Sequence, residues 1–220
     1  QGMNDLFVPL ILTHFPNWND EGDPVDSEGK VLSNYEDQLP KLFWLYRSML
    51  NNINHDDFLL SITPKCGAIA QKVMRILIKV VPLVVTWLRK NQLSKLVFMY
   101  QDFIYIYKRS FSSVWPIWLQ FHSSPDPKHW MIYFICAIII KTFPLFSAIP
   151  DVRDSWLTTM VSSFPTFLTS LDIGEIGRLA LWFYENHPIK DDEDNDIGDG
   201  IDEMKKFNYE FFEVDWFEKK

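Results

Sequence analysis

The stretch QGMNDLFVPL, residues 1–10, decides how the chain is organised, because a polar sequence passes here into an apolar one. Apolar residues dominate from Leu6 to Phe15, which predicts a helix over residues 6–15. Pro9 lies early enough in this segment for a helix to tolerate it. A first helix entered from a short polar turn is therefore the starting point for interpreting the rest of the chain.

Four residues before this helix are candidates for a site. Gly2 favours a backbone turn that other residues resist, and Asn4 or Asp5 can cap the free N–H groups of a first helical turn. Gln1 would then lie on a short arm beside the helix, with its amide pointing outward. Taken alone, this pattern also fits an ordinary helix entrance with a frayed terminal glutamine.

Composition indicates a folded domain and argues against nucleic acid as a partner. The 220 residues are 47% hydrophobic and 16% aromatic, which suits a chain with a sizeable core. The net charge of −8 is local, because residues 190–203 hold eight acidic residues against Lys190, or −7. A nearly neutral body with an acidic segment has no basic footprint for nucleic acid.

Residue patterns argue against several kinds of chemistry. Cys66 and Cys136 are far apart in the sequence and lie in no paired motif, which predicts buried thiols in a reducing compartment. The five histidines have no metal-ligand spacing, so no metal site is expected. GxxxxGK[ST] and GxSxG are both absent, which argues against nucleotide binding by this chain and against a hydrolytic triad.

The apolar periodicity predicts an all-α fold, a single domain of about seven to nine helices with no sheet. A polar connection, residues 16–38, is expected to be a solvated and variable loop. Leu83 to Leu88 is expected to be a short apolar turn after Pro82. Further helices are predicted over residues 39–53, 64–80, 93–107 capped by Asn91, 128–143, 151–161 capped by Asp151, and from Asp172, which has capping-box spacing with Glu175, to about residue 185.

One predicted helix is apolar enough to resemble a membrane span. Residues 130–149 are mostly apolar and about long enough to cross a bilayer. Lys141 interrupts the segment, Pro144 is expected to break it, and no basic flank sets an orientation. We therefore expect a buried core helix here, and no transmembrane segment.

Several stretches resemble the TBC domain, a family of Rab GTPase-activating proteins. Residues 1–6, Gln-Gly-Met-Asn-Asp-Leu, resemble its YxQGMNDL segment, and Phe43-Trp44 corresponds to an aromatic pair on a helix, where core packing is expected. Residues 69–73, and residues 108–118 with Arg109 and Trp118, resemble later segments in the family's order. Two departures, Pro116 and Leu119, leave the local geometry of the last segment open.

The resemblance implies a function and a role for Gln1. In the TBC family this glutamine reaches into the active site of a GTP-bound Rab and orients the attacking water. Gly2, Asn4 and Asp5 would set its loop and contact the partner. No cofactor of its own is implied, since GTP and Mg²⁺ belong to the Rab, and the expected place is cytoplasmic, on the surface of endomembranes.

The resemblance also implies an arginine finger, in an IxxDxxR motif upstream of the glutamine. None of the six arginines lies in that pattern, and a chain starting with Gln1 is interpreted as a fragment that is inactive alone. Two alternatives stay open: a TBC-like scaffold that binds a Rab or another partner without hydrolysis, and a purely structural helical domain.

The resemblance implies three parts of the chain. Residues 1–187 would form the TBC-like domain, lacking its N-terminal portion, and residues 188–206 an acidic linker. Residues 207–220 are an aromatic C-terminal segment, in which residues 207–217 hold six aromatic side chains. This segment would either dock on the domain or bind a protein partner.

Overall fold

The fold is all-α, as the apolar periodicity predicts. A computed structural model describes residues 2–55, 58, 61–149 and 155–190, without the side chains of residues 2–4. Within these ranges the chain forms nine α-helices and two short 3-10 helices, Glu36–Gln38 and Val97–Met99, and no strand. The helices are α1 Gly2–His14, α2 Leu39–Asn52, α3 Ile62–Val80, α4 Pro82–Lys90, α5 Tyr100–Tyr105, α6 Trp115–Ser123, α7 Trp130–Ser147, α8 Trp156–Thr169 and α9 Ile173–Asn186.

The apolar helix α7 is the centre of the core, where it packs against α3, α8 and α9. Of its 18 residues, 72% are buried within the fold, so the predicted core helix is confirmed. By length and composition, α7 is the one helix among the described residues that could cross a membrane. Pro144 lies inside the helix, which continues to Ser147, so the predicted break at Pro144 is wrong.

Side-chain caps define the last two helices. The Asp172 carboxylate accepts a hydrogen bond from the Glu175 N–H at 2.8 Å, which confirms the predicted cap of α9. Ser155 caps α8 by accepting from the Thr158 N–H at 3.1 Å. The predicted cap at Asp151 lies outside the described residues.

The segment between α4 and α6 differs most from its prediction. Residues 83–88, expected to be a turn, belong to α4, which begins at Pro82, a favoured first helical residue. Asn91 ends α4 instead of capping the next helix, and its side-chain amide donates to the Trp87 carbonyl at 2.8 Å. Leu96 has a left-handed backbone, with φ of 51°, and α5 spans only residues 100–105.

The polar connection between α1 and α2 is more regular than predicted. Gly22 and Gly29 have positive φ angles of 86° and 81°, which glycine adopts without strain, and each lies in a tight turn. The Asp26 carboxylate accepts from the backbone N–H groups of Glu28 and Lys30 at 2.9 and 3.0 Å. Local hydrogen bonds therefore order this connection, although no apolar periodicity marks it in the sequence.

The outer face of α2 contradicts the prediction that Phe43 and Trp44 pack in the core. Phe43 is 44% exposed and Trp44 is 69% exposed. The buried stripe consists of Leu42, Tyr46 and Leu50, which follow one another at intervals of four residues. Because each residue turns a helix by about 100°, the two aromatic residues after Leu42 point away from that stripe.

Candidate functional site

The candidate site is the start of α1, and the structure corrects its predicted conformation. The helix begins at Gly2 and not at Leu6, so Gly2, Asn4 and Asp5 are helical and do not form a loop before the helix. An acidic side chain in the first turn suits the positive end of the helix dipole, which favours the earlier start. Gln1 lies outside the described residues. The catalytic role predicted for Gln1 and the partner contacts predicted for Gly2, Asn4 and Asp5 stay predictions.

Apolar contacts hold α1 against the body of the fold. Leu6 is 1% exposed and belongs to the main core, and Leu10 is buried beside it. The Phe7 ring contacts the Tyr46 ring of α2, with 5.3 Å between centroids. Among the described side chains, the buried stripe of α1 starts at Leu6, one residue after Asp5, and fixes the helix close to its beginning.

The polar anchor of this end is an ion pair between Asp5 and Arg109. The Arg109 guanidinium donates to the Asp5 carboxylate across 104 residues of sequence. The central carbon (Cζ) of the same guanidinium lies 4.0 Å from the centroid of the Tyr105 ring. Asp5 therefore binds a side chain from the turn after α5, and does not serve as the predicted cap.

The turn that carries Arg109 has an unusual backbone. Ile106 and Tyr107 both have positive φ angles, 46° and 61°, which is uncommon for residues other than glycine and costly for a β-branched one. The Tyr107 N–H donates to the Asp102 carbonyl at 3.1 Å, and the Trp118 indole N–H donates to the Ile106 carbonyl at 3.0 Å. Hydrogen bonds on both sides thus hold the chain in this conformation.

A buried carboxyl group supports the turn from inside. Asp102 is 4% exposed, and its carboxyl accepts a hydrogen bond from the Ser110 hydroxyl. Burial raises the pKa of Asp102 to about 6, and the bond from Ser110 opposes part of that rise. Ser110 is the neighbour of Arg109, so the Asp102–Ser110 bond restrains the backbone beside the ion pair.

A small cavity lies beside the described side chains of the candidate site. A cavity of about 10 Å³, lined by Leu6, Tyr46 and Trp118 among others, lies under α1. That volume suits at most about one water molecule, whereas pockets for small molecules occupy roughly 300–1,000 Å³. In the described part of the chain, no three metal-ligating side chains come together.

Apolar side chains are exposed on two neighbouring helices of this region. On α1, Val8 is 41% exposed and Leu12 is 51% exposed. On α2, Leu45 is 51% exposed next to Phe43 and Trp44. We call Phe43, Trp44 and Leu45 the α2 outer face.

The comparison with protein families gave one match. The family model described as the Rab-GTPase-TBC domain matches residues 1–145. The chain belongs to this family. Neither the comparison with curated proteins nor the comparison with solved structures gave a significant match.

The match confirms the resemblance and gives the TBC domain a position on the helices. The matched segment begins at Gln1, directly before α1, and ends at position 145, inside α7. The Asp5–Arg109 ion pair and the turn after α5 therefore lie within the matched segment. Helices α8 and α9 follow the matched residues but pack on α7. The predicted domain limit at residue 187 stays a prediction.

Sequence reasoning found one partner of the ion pair and missed the other. The sequence marks Asp5 as a candidate cap, and it marks Arg109 only as part of a motif. The sequence gives one weak signal that Asp102 has a structural role, because it is the only acidic residue in the aromatic run from Phe98 to Tyr107. No local pattern shows that the Asp102 carboxyl turns inward to Ser110.

Proposed function

We propose that the protein is a GTPase-activating protein for Rab-family GTPases. The observation that carries the proposal is the family match over residues 1–145, which starts at the glutamine-containing segment QGMNDL. The partner would be a Rab in its GTP-bound state. The protein would act cytoplasmically on the surface of endomembranes, where it would regulate vesicle traffic.

Gln1 would be the group that contacts the reacting atoms. Its amide can donate a hydrogen bond to one group and accept one from the attacking water, and so orient that water toward the γ-phosphate. Because the amide would be held in place before the reaction, it would stabilise the transition state more strongly than it stabilises the ground state with bound GTP. Mg²⁺ and GTP would come with the Rab, and the partner surface would include Gly2, Asn4 and Asp5.

The resemblance implies a second catalytic group, an arginine in the upstream IxxDxxR motif. Such an arginine stabilises the charge on the transferring phosphoryl group, and arginine fingers accelerate hydrolysis by about 10³–10⁵-fold. We do not assign this role to Arg109, because it lies outside that motif and binds Asp5. The test therefore needs the natural full-length protein, in which the arginine motif is expected before Gln1.

The test is single-turnover GTP hydrolysis by a panel of Rab proteins. With the full-length protein we expect at least one Rab to hydrolyse GTP faster than its intrinsic rate. The Gln1→Ala variant is expected to lose most of that gain. Intrinsic rates with every Rab would contradict the proposal.

A second candidate function is a TBC-like scaffold that binds a Rab or another partner without hydrolysis. The α2 outer face favours it, because Trp44, 69% exposed, lies between two further exposed apolar side chains. Exposed aromatic residues are typical anchors of protein interfaces. If this candidate is correct, a Rab should bind with no change in its hydrolysis rate, and Trp44→Ala should weaken binding at an unchanged melting temperature.

A further inference from the structure

Arg109 joins two parts of the molecule that bear on the proposed site. Its guanidinium donates to the Asp5 carboxylate in the first turn of α1, and it lies over the Tyr105 ring of α5. The side chains of Arg109 and Asp5 are 44% and 34% exposed. Half-exposed ion pairs contribute little to stability, so a role in folding alone does not explain this arrangement well.

The contacts of Arg109 restrict the direction of its guanidinium, which suits a residue that positions another. A guanidinium is a planar group whose N–H donors have fixed directions, and the stacking on Tyr105 limits the rotamers open to it. Its backbone is restrained as well, because the neighbouring Ser110 hydroxyl donates to the buried Asp102 carboxyl. The donor is therefore held before Asp5 binds, and the ion pair needs little further ordering.

Because Asp5 lies close to the start of α1, the ion pair acts on the first turn of this helix. Asp5 lies between the buried Leu6 and the beginning of α1 at Gly2, and Gln1 directly precedes Gly2 in the sequence. Leu6 holds the helix to the core from one side. Beyond Leu6, the Asp5–Arg109 ion pair is the described side-chain contact closest to the helix start.

We propose that Arg109 is a positioning residue, which fixes the first turn of α1 through Asp5 and thereby sets the direction from which Gln1 reaches the GTPase. This proposal rests on the proposed GTPase-activating function for its catalytic consequence. Arg109 itself does not touch the reacting atoms. It acts on the rate through the orientation of the helix start.

The first experiment follows amide hydrogen exchange in the natural full-length protein. Arg109→Met keeps an apolar side chain on Tyr105 but removes the charge and the donors. We expect the amides of residues 6–8, whose helical partners are the carbonyls of residues 2–4, to exchange about two- to fivefold faster than in the wild type. Arg109→Lys keeps the positive charge but loses the planar, forked donor geometry of the guanidinium. Its exchange rate at residues 6–8 should lie between those of the wild type and Arg109→Met.

The second experiment measures hydrolysis by the responding Rab. Arg109→Met is expected to lower kcat about tenfold with little change in KM, since a small misplacement of a catalytic group slows the reaction itself. The double variant Asp5→Arg with Arg109→Asp restores the opposite charges. It should recover part of the exchange protection at residues 6–8, a measurement in which the GTPase takes no part.

A matched control is available on α7 and α9. Lys141 pairs with Glu175 at 3.0 Å, and their side chains are 41% and 50% exposed, similar to the Asp5–Arg109 pair. Lys141→Met breaks an ion pair of the same kind, and should leave both the exchange of residues 6–8 and kcat unchanged.

Wild-type exchange at residues 6–8 in Arg109→Met would overturn the proposal. So would an equal response of these amides to Lys141→Met, or exchange in the double variant that is no slower than in Arg109→Met. The exchange measurement needs no GTPase, so it decides the positioning role even if no Rab responds. Failure of the proposed function would appear separately, as intrinsic hydrolysis rates with the wild-type protein.

Discussion

Asp102 is the residue whose protonation the fold changes most clearly. Its folded pKa of about 6 lies above the model-peptide value of 3.8, because burial disfavours the carboxylate. The folded state therefore binds more protons than the unfolded state between these two values. The free energy of unfolding should rise as the pH falls from about 7 to about 4, by at most about 3 kcal/mol from this group.

Asp102→Asn should remove this part of the pH dependence. The asparagine cannot ionise, and its carbonyl oxygen can still accept from the Ser110 hydroxyl, so the variant should be more stable than the wild type at pH 7 by about 1–3 kcal/mol. Urea unfolding between pH 4 and pH 8 measures the difference. Glu185→Gln, on an exposed position of α9, serves as a control for the loss of one carboxyl group. Parallel curves for Asp102→Asn and wild type would contradict the account.

At the residue scale, sequence reasoning identified side chains better than their partners. Asp5 was singled out from local chemistry, but its carboxylate contacts Arg109, 104 residues away. Capping patterns describe contacts within one helical turn, and they predicted the Asp172 cap correctly for that reason. A contact between distant segments depends on packing, which a single sequence does not encode locally.

Two glycines inside helices give a paired test at the scale of the element. Gly67, in α3, has open space where a Cβ would lie, so Gly67→Ala should stabilise the fold by about 0.5–1 kcal/mol. At Gly177, in α9, a Cβ would lie 2.5 Å from the Gln120 side-chain oxygen. That side chain also donates to the Ile173 carbonyl at 3.2 Å, a bond that Gly177→Ala would disturb.

Thermal unfolding distinguishes the two substitutions. Gly67→Ala should raise the melting temperature by about 1–4 °C, as expected for a domain of this size. Gly177→Ala gains the same helix propensity but displaces Gln120, so its melting temperature should stay below that of Gly67→Ala. Equal increases for both variants would mean that Gln120 moves without cost, contrary to the packing between α6 and α9.

Element prediction succeeded where apolar periodicity is strong and failed where it is interrupted. Helix α9 follows its apolar pattern from the Asp172 cap to Asn186, close to the predicted end at about residue 185. The apolar pattern also predicted the existence of α7, but this helix continues to Ser147, past the predicted end at residue 143. The predicted helix 93–107 is interrupted: residues 91–96 form turns and Val97–Met99 a 3-10 helix, because tertiary packing places the buried Leu93 and Leu96. The prediction that Phe43 and Trp44 pack in the core was wrong for another reason, since aromatic character alone does not determine which face of α2 they occupy.

At the scale of the whole molecule, the two cysteines report on the integrity of the core. Cys66 and Cys136 are free thiols with 0% exposure, which confirms the prediction that they are buried. Burial raises the pKa of Cys66 to about 11, and it raises the pKa of Cys136 well above the ordinary thiol value. Since the thiolate is the reactive form, neither should react with a thiol reagent in the native state.

A colorimetric thiol assay tests this expectation. The native protein should show almost no reaction over minutes, and two thiols per chain should react once denaturant unfolds the domain. Fast reaction of one thiol without denaturant would mean that α3 or α7 opens independently of the rest.

The sequence also predicted the family, because short motifs recur in a fixed order along much of the chain. The match over residues 1–145 confirms that identification. Residues 191–206 of the acidic linker and the aromatic segment 207–220 lie outside the described residues, and docking and partner binding both stay predictions. Motif order reveals a family, whereas the catalytic competence of one member depends on a few side chains.

The most direct test of the central claim compares wild-type and Gln1→Ala full-length protein on a responding Rab, measuring affinity for the GTP-bound form and the single-turnover rate separately. A glutamine that acts on the transition state predicts similar affinity and a rate lower by about a hundredfold. If Gln1→Ala accelerates hydrolysis as well as the wild type does, Gln1 is not the catalytic residue and the proposed mechanism is wrong.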